Sequence, residues 1–278
     1  MCKRTLFQTL KVVFFLLLLF LFLQFVIALV ASFAIMFLVG AISAFMKIPN
    51  KAMFIASFED FTLLLTNCIF QIIALIYFAR MYRKRKFNIS NIKFEITPKF
   101  LGKCTLITFG IGGLSGLWIL IVQSLSPFVP FLKNGLADFV SSMSSLTSDP
   151  ILAFISVVIL APILEEVFFR GIIFNELAKY RQGAFPIILS GLVFGLAHMQ
   201  SIQSVYTFIM GIILGFVYSK THSLKIVIFM HMLNNLLSML PQSLSQFNDI
   251  LGFICIVPMA YFLIKMKTQK LPQLSHSN

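Results

Sequence analysis

Long uninterrupted runs of apolar residues, separated by short polar or Pro- and Gly-containing joints, dominate the chain. A helix needs roughly 20 residues to cross about 30 Å of hydrocarbon, and the runs consume most of the sequence. They are continuous, whereas transmembrane β-barrel strands alternate apolar and polar residues. The pattern predicts an all-α, polytopic transmembrane helical bundle with about eight spans, at residues 12–46, 61–80, 105–126, 151–174, 184–198, 204–219, 225–241 and 250–266.

Three of these runs depart from the length of a single crossing. The first is long enough to tilt strongly or to break near Gly40, and the fifth and sixth are shorter than a full crossing. No internal repeat, low-complexity segment or soluble appendage is evident. The whole chain, residues 1–278, is therefore interpreted as a single membrane domain.

Composition and charge support a membrane protein and orient it. Apolar residues make up 59% of the chain and charged residues 11%, which excludes a water-soluble enzyme. The net charge of +13 would indicate nucleic acid binding in a soluble chain, but here the basic residues lie in the connecting loops, so no nucleic acid partner is predicted.

By the positive-inside rule both termini are expected in the cytoplasm. The basic N-terminal flank favours a retained signal anchor, and the protein is predicted to be multi-pass, in the cell membrane if the host is bacterial.

Two adjacent carboxylates, Glu165 and Glu166, are the acidic residues that fall inside an apolar run. A carboxylate in a membrane helix costs on the order of 3 kcal/mol on insertion scales, so it usually faces protein or water. Arg170 follows Glu166 by four residues, about 40° around a helix, which predicts an intrahelical ion pair. Glu165 has no such partner on its own helix, and a carboxylate of this kind can act as a base.

Two histidines, His198 and His231, also lie in apolar surroundings. Phe194 precedes His198 by one helical turn, and Asn235 follows His231 by one turn, so each pair shares a helix face. Taken singly, each pair is weak evidence, because a buried histidine can be a packing residue and an Asn at this spacing commonly joins helices.

The ordered set of motifs EExxxR, FxxxH and HxxxN on three separate spans is far more specific. It resembles the CPBP family, named for CAAX proteases and bacteriocin-processing enzymes and also called the Abi family. The resemblance covers roughly residues 150–240, which it marks as the motif-bearing catalytic core. It implies an intramembrane endopeptidase similar to type II CAAX prenyl endopeptidases. The implied catalytic residues are Glu165, Glu166, His198, His231 and Asn235, with Arg170 and Phe194 in supporting positions.

Peptide hydrolysis needs a nucleophilic water, a group that stabilises the oxyanion and a proton donor for the leaving amine. We expect Glu165 and His198 to deprotonate the water. We expect His231 and Asn235 to donate hydrogen bonds to the oxyanion, and Arg170 to anchor the second glutamate. The family resemblance implies the same roles. The predicted partners are a membrane-anchored peptide or protein substrate and the lipid bilayer; the substrate's identity and the oligomeric state are left open.

A metal ion is an open alternative to a metal-free, glutamate-activated water. Two histidines and a glutamate suit Zn²⁺ with an open water position, and the candidate ligands are Glu165, His198 and His231. No HExxH helix is present, so the usual zincin geometry is absent. No cofactor is therefore assigned from the sequence.

The predicted depth of the site raises one difficulty. Counting residues from the ends of each predicted span, at about 1.5 Å per residue, places Glu165 and His231 at similar depths in the membrane. The same count places His198 nearer the outer leaflet. Spans five and six are therefore expected to start below the membrane surface or to form a short hairpin that ends at a buried aqueous pocket open toward the cytoplasmic half. Its predicted polar lining is Gln200, Ser201, Gln203 and Ser204.

Other functions stay open at this stage. A catalytically silent membrane regulator or bacteriocin-immunity factor of the same fold would bind a partner without cleaving it. A proton-coupled transporter would also use intramembrane Glu, Arg and His, although the internal repeats typical of transporters are not evident. The GxSG at residues 113–116 matches rhomboid serine proteases, but it leaves the glutamate pair unexplained. Buried polar residues that only join helices would not explain the ordered motifs.

Overall fold

The computed structural model describes residues 5–85, 95–145 and 149–267, and within these ranges the chain forms helices and connecting turns, with no strand. In chain order the helices are α1 Leu6–Phe45, α2 Lys51–Ala56, α3 Glu59–Lys84, α4 Pro98–Leu125, α5 Pro130–Ser145, α6 Pro150–Ala178, α7 Ala184–Ala197, α8 Ser201–Thr221, α9 Leu224–Ser238 and α10 Gln242–Lys265.

The predicted all-α, polytopic membrane architecture is confirmed. Every predicted apolar run lies largely within a helix. In the described part of the chain, 6 helical stretches are long and apolar enough to cross a membrane, whereas α7 and α9 have 14 and 15 residues. The total of eight spans and the cytoplasmic termini stay predictions. Both terminal segments, residues 1–4 and 268–278, lie outside the described residues.

The helices differ from the predicted spans in three details. α1 continues without a break through Gly40, and the alternative, a strong tilt of the first span, stays a prediction. The sixth run is not short, because α8 has 21 residues and already includes the polar residues at its start. His198 does not lie within a span but follows the last residue of α7. Its neighbour Met199 has a φ of 55°, a left-handed conformation that turns the chain out of α7.

α6 carries the glutamate pair and departs from regular α-helical geometry in two places. Residues Phe154–Leu160 and Glu166–Phe174 form wider π-helical turns, in which hydrogen bonds run from i to i+5 and which occur frequently at functional sites. Pro162 lies between them. Because proline has no N–H and its ring crowds the carbonyl one turn earlier, it interrupts the α-helical ladder at the point where the first wide stretch ends.

Aromatic rings hold α6 at the centre of the bundle. Phe20 of α1 stacks on Phe168 at a centroid distance of 4.6 Å, and Phe78 of α3 contacts the same ring at 4.7 Å. Phe169 meets Phe194 of α7 edge to face at 5.0 Å. All five side chains are buried. α6 is therefore fixed between α1 and α3 on one side and α7 on the other.

The GxSG segment belongs to the contact between α4 and α10. A Cβ added to Gly113 would overlap the carbonyl oxygen of Gly252, so the two backbones touch directly. The Ser115 hydroxyl donates to the carbonyl oxygen of Ile111 in its own helix, at 3.1 Å. These contacts are typical of small residues that let membrane helices approach closely.

Gly113→Ala is expected to lower the free energy of unfolding by about 1–3 kcal/mol, because the added methyl forces α4 and α10 apart. Thermal unfolding in detergent micelles measures the change. Gly112→Ala is the matched control: its Cβ would meet nothing within 4 Å, so it should be neutral or stabilise by up to about 1 kcal/mol. Equal destabilisation by both substitutions would contradict the close contact between α4 and α10 as the cause of the effect.

α5 was not predicted, and it covers the turn between α7 and α8. The Gln200 Nε2 donates to the hydroxyl of Ser142 in α5 at 2.7 Å. On the α4 side, the Trp118 indole donates to the carbonyl oxygen of Ile202 at 2.9 Å. A Cβ on Gly135 would overlap the hydroxyl of Ser201. Gln200 and Ser201 are thus engaged in packing with α5, and the predicted aqueous pocket stays a prediction.

Candidate active site

Glu166 is the most constrained side chain among the motif residues. It is completely buried, and its Oε1 accepts hydrogen bonds from Nη1 of Arg170 at 2.9 Å and from Nδ1 of His231 at 2.8 Å. Arg170 is equally buried, and its Nη2 donates to the carbonyl oxygen of Gly211 at 3.1 Å. The structure thus contains the ion pair that the i to i+4 spacing predicts, and it links that pair to α8 and α9.

Phe194 joins the guanidinium to both imidazoles. The Arg170 Cζ lies 4.6 Å from the centroid of the Phe194 ring, which is within the range of a cation–π contact. The same ring meets His198 edge to face at 4.9 Å and His231 at 5.8 Å. The phenylalanine of the second motif therefore packs the three charged or polar groups around one ring.

His231 is buried and oriented by the two glutamates. Because a carboxylate oxygen accepts, the His231 Nδ1–H is the donor to Glu166, and this fixes the tautomer and the ring orientation. The Nε2 then faces Oε2 of Glu165 at 3.7 Å, which is longer than a direct hydrogen bond. Glu165 is partly exposed, at 20% of its side chain, whereas Glu166 is not exposed at all. The sequence paired Glu165 with His198; the described contacts pair it with His231.

His198 is fixed at the end of α7. Its Nδ1–H donates to the carbonyl oxygen of Phe194, one turn earlier, at 2.9 Å. In the neutral ring this leaves Nε2 as a hydrogen-bond acceptor. The ring is half-buried.

Asn235 connects α9 to the wide turns of α6. Its Nδ2 donates to the carbonyl oxygen of Val157 at 2.9 Å, and the Asn234 amide donates to its Oδ1 at 3.4 Å. An Asn side-chain amide has two N–H donors, so a second N–H remains beside the one used for Val157. The residue therefore holds two helices together, the structural role that the sequence analysis weighed beside a catalytic one.

Comparison with known proteins matches the part of the chain that holds these residues. The family model described as "Type II CAAX prenyl endopeptidase Rce1-like" matches residues 147–237. The match shows what this segment is similar to, and residues 147–237 are named the Rce1-like domain after it. The resemblance to type II CAAX prenyl endopeptidases is thereby confirmed for these residues, a range that overlaps the predicted core 150–240. The remaining helices of the chain lie outside the matched range.

The chain also has a curated relative. The Bacillus subtilis (strain 168) protein named "Putative membrane peptidase YdiL" is 34% identical over 77 residues, which are 28% of this chain. The match covers 32% of that protein, so the chain spans about a third of the length of this relative. No solved structure matches the chain. Both comparisons support a membrane protease.

The candidate zinc ligands do not assemble in the Rce1-like domain. Within residues 5–85, 95–145 and 149–267, no three His, Cys, Asp or Glu side chains form a group that could hold a metal ion. The Nδ1 of His231 is bonded to Glu166 and that of His198 to a backbone carbonyl, which leaves Nε2 of each ring as the atom that a metal could bind. Glu165, His198 and His231 do not form a three-ligand group among the described residues, and we assign no chemical step to a metal.

One further side chain of the Rce1-like domain supports the site, and no sequence motif marks it. Asn175 is buried and its Nδ2 donates to the carbonyl oxygens of Arg170 and Gly171 and to the Tyr218 hydroxyl, at 3.1, 2.8 and 3.0 Å. It thereby satisfies carbonyls in the wide turns of α6. A polar side chain within an apolar helix is the signal that could have found this residue.

Proposed function

We propose that the protein is an intramembrane endopeptidase that hydrolyses a peptide bond in a membrane-associated peptide or protein through a water activated by glutamate and histidine. One observation carries the proposal: Glu166 binds Nδ1 of His231 and thereby directs Nε2 of that ring toward Glu165. The partly exposed carboxylate and the oriented imidazole then lie 3.7 Å apart, so that a water beside the pair can contact both.

The proposed reaction follows from the hydrogen-bond directions. Both Oε2 of Glu165 and Nε2 of His231 are acceptors, so a water placed beside the pair can approach both and donate a hydrogen to Glu165. Transfer of one proton to Glu165 produces a hydroxide that attacks the scissile carbonyl carbon. The second N–H of Asn235 is proposed to stabilise the resulting oxyanion. Glu165 then returns its proton to the leaving amine, which completes the cleavage.

The depth of the site supports a membrane-anchored substrate. At a rise of about 1.5 Å per residue, Glu165 lies roughly 20 Å along α6 from Ala178 and roughly 22 Å from Pro150. A scissile bond must therefore enter the apolar layer, which a peptide held by a lipid or an apolar segment achieves more readily than a freely soluble one.

Hydrolysis in H₂¹⁸O tests the proposal. The purified full chain, in detergent, is incubated with a library of N-terminally acylated peptides, and the products are analysed by mass spectrometry. Proteolysis places ¹⁸O in each new carboxyl terminus, whereas transport cannot proceed without a membrane gradient. Peptides that bind but yield no labelled product would contradict the endopeptidase and favour a catalytically silent regulator.

Ser115→Ala is expected to leave this activity unchanged, because the Ser115 hydroxyl is bonded within its own helix and its neighbour Gly113 packs against α10. The same labelled-product assay measures the rate. Unfolding temperatures of the variant and the wild type provide the control for folding. Complete loss of cleavage in a folded Ser115→Ala variant would replace the proposed mechanism with a serine nucleophile.

A further inference from the structure

A cavity of about 210 Å³, separate from the candidate active site, lies at the end of the bundle where α4 begins and where α8 and α10 end. It is remote in sequence from the motif residues, and none of them lines it. Its lining combines three basic side chains with three apolar ones: Lys103, Lys265, Lys267, Phe100, Phe262 and Met266.

The positive charge of this cavity has no acidic partner within residues 5–85, 95–145 and 149–267. In these ranges no carboxylate lines the cavity, and no ion pair involves its three lysines. The Lys103 Nζ lies 5.6 Å from the centroid of the Phe262 ring, which holds the ammonium group against the cavity wall. The positive-inside rule accounts for the presence of lysines at this end of the bundle. The rule does not explain why three lysines, from the ends of two helices, line the same cavity.

We propose that this cavity binds the phosphate headgroup of an anionic phospholipid. Lysine ammonium groups act as point charges toward phosphate, and basic pockets between transmembrane helices bind anionic headgroups. The apolar rings beside the lysines match the glycerol and first methylene groups of such a lipid. α10 extends from the cavity with exposed apolar side chains, among them Val257, Tyr261 and Ile264, along which acyl chains can lie.

Native mass spectrometry of the full chain in detergent tests the site, with phosphatidylglycerol and phosphatidylcholine of identical acyl chains as probes. The wild type is expected to bind phosphatidylglycerol at least about tenfold more tightly than phosphatidylcholine. The double substitution Lys103→Gln with Lys265→Gln is expected to weaken phosphatidylglycerol binding by about thirtyfold, because two charge contacts are lost.

The matched control removes the same charge elsewhere at this end of the molecule. Lys99→Gln with Lys225→Gln changes two exposed lysines that do not line the cavity, so phosphatidylglycerol binding should stay at the wild-type level. Equal weakening by both double substitutions, or equal binding of the two lipids by the wild type, would overturn the proposal. Displacement of phosphatidylglycerol by an equal concentration of glycerol 3-phosphate would also overturn it, since the ligand would then be a soluble phosphate.

Discussion

Glu165→Gln is expected to lower the rate of peptide hydrolysis by about a thousandfold, because the amide has a similar shape but cannot take a proton from the attacking water. Glu165 forms no direct hydrogen bond that holds the helices together; its nearest charged partner is Nε2 of His231 at 3.7 Å. The variant should therefore unfold at the wild-type temperature. The rate is measured as ¹⁸O-labelled product per mole of folded protein in detergent.

The control for this substitution is Glu59→Gln, which removes an exposed carboxylate in the first turn of α3. It should retain full activity. Glu165→Gln with near wild-type turnover would contradict the proposed base. Loss of activity accompanied by a large fall in unfolding temperature would instead make Glu165 a structural residue, and the base would have to be sought elsewhere.

The helical architecture could be predicted because a membrane leaves the backbone few choices. Every N–H and C=O in hydrocarbon must be paired internally, so each long apolar run becomes a helix. α5 could not be predicted this way, since Lys133, Asp138 and its serines make it too polar for a span. The left-handed turn after α7 was also hidden, because residue 199 is a methionine and not the glycine that usually marks such a conformation.

The local geometry of the site could be predicted, but its long-range contacts could not. The Glu166–Arg170 pair follows from the spacing within one helix. The bond between Glu166 and His231 joins residues 65 positions apart, and only the packing of α9 against α6 brings them together. The wide turns that begin at Glu166 also change the direction in which Glu165 and Glu166 point, so a regular helical wheel could not assign Glu165 to His231 rather than to His198.

Arg170→Met is expected to lower the free energy of unfolding by about 3–5 kcal/mol, because it leaves the carboxylate of Glu166 buried with one partner fewer. The guanidinium is fully buried and also contacts the carbonyl oxygen of Gly211 and the ring of Phe194. Methionine fills part of the volume but replaces none of these polar contacts. Unfolding in detergent, followed by circular dichroism, measures the change.

Arg80→Met, at an exposed position on α3, is the control for loss of a cation and should change the stability little. A double-variant cycle then separates the ion pair from packing. If the charge of Glu166 causes the destabilisation, Glu166→Gln combined with Arg170→Met should cost less than the two single changes added together, by at least about 1 kcal/mol. Strict additivity would mean that the two side chains do not stabilise each other.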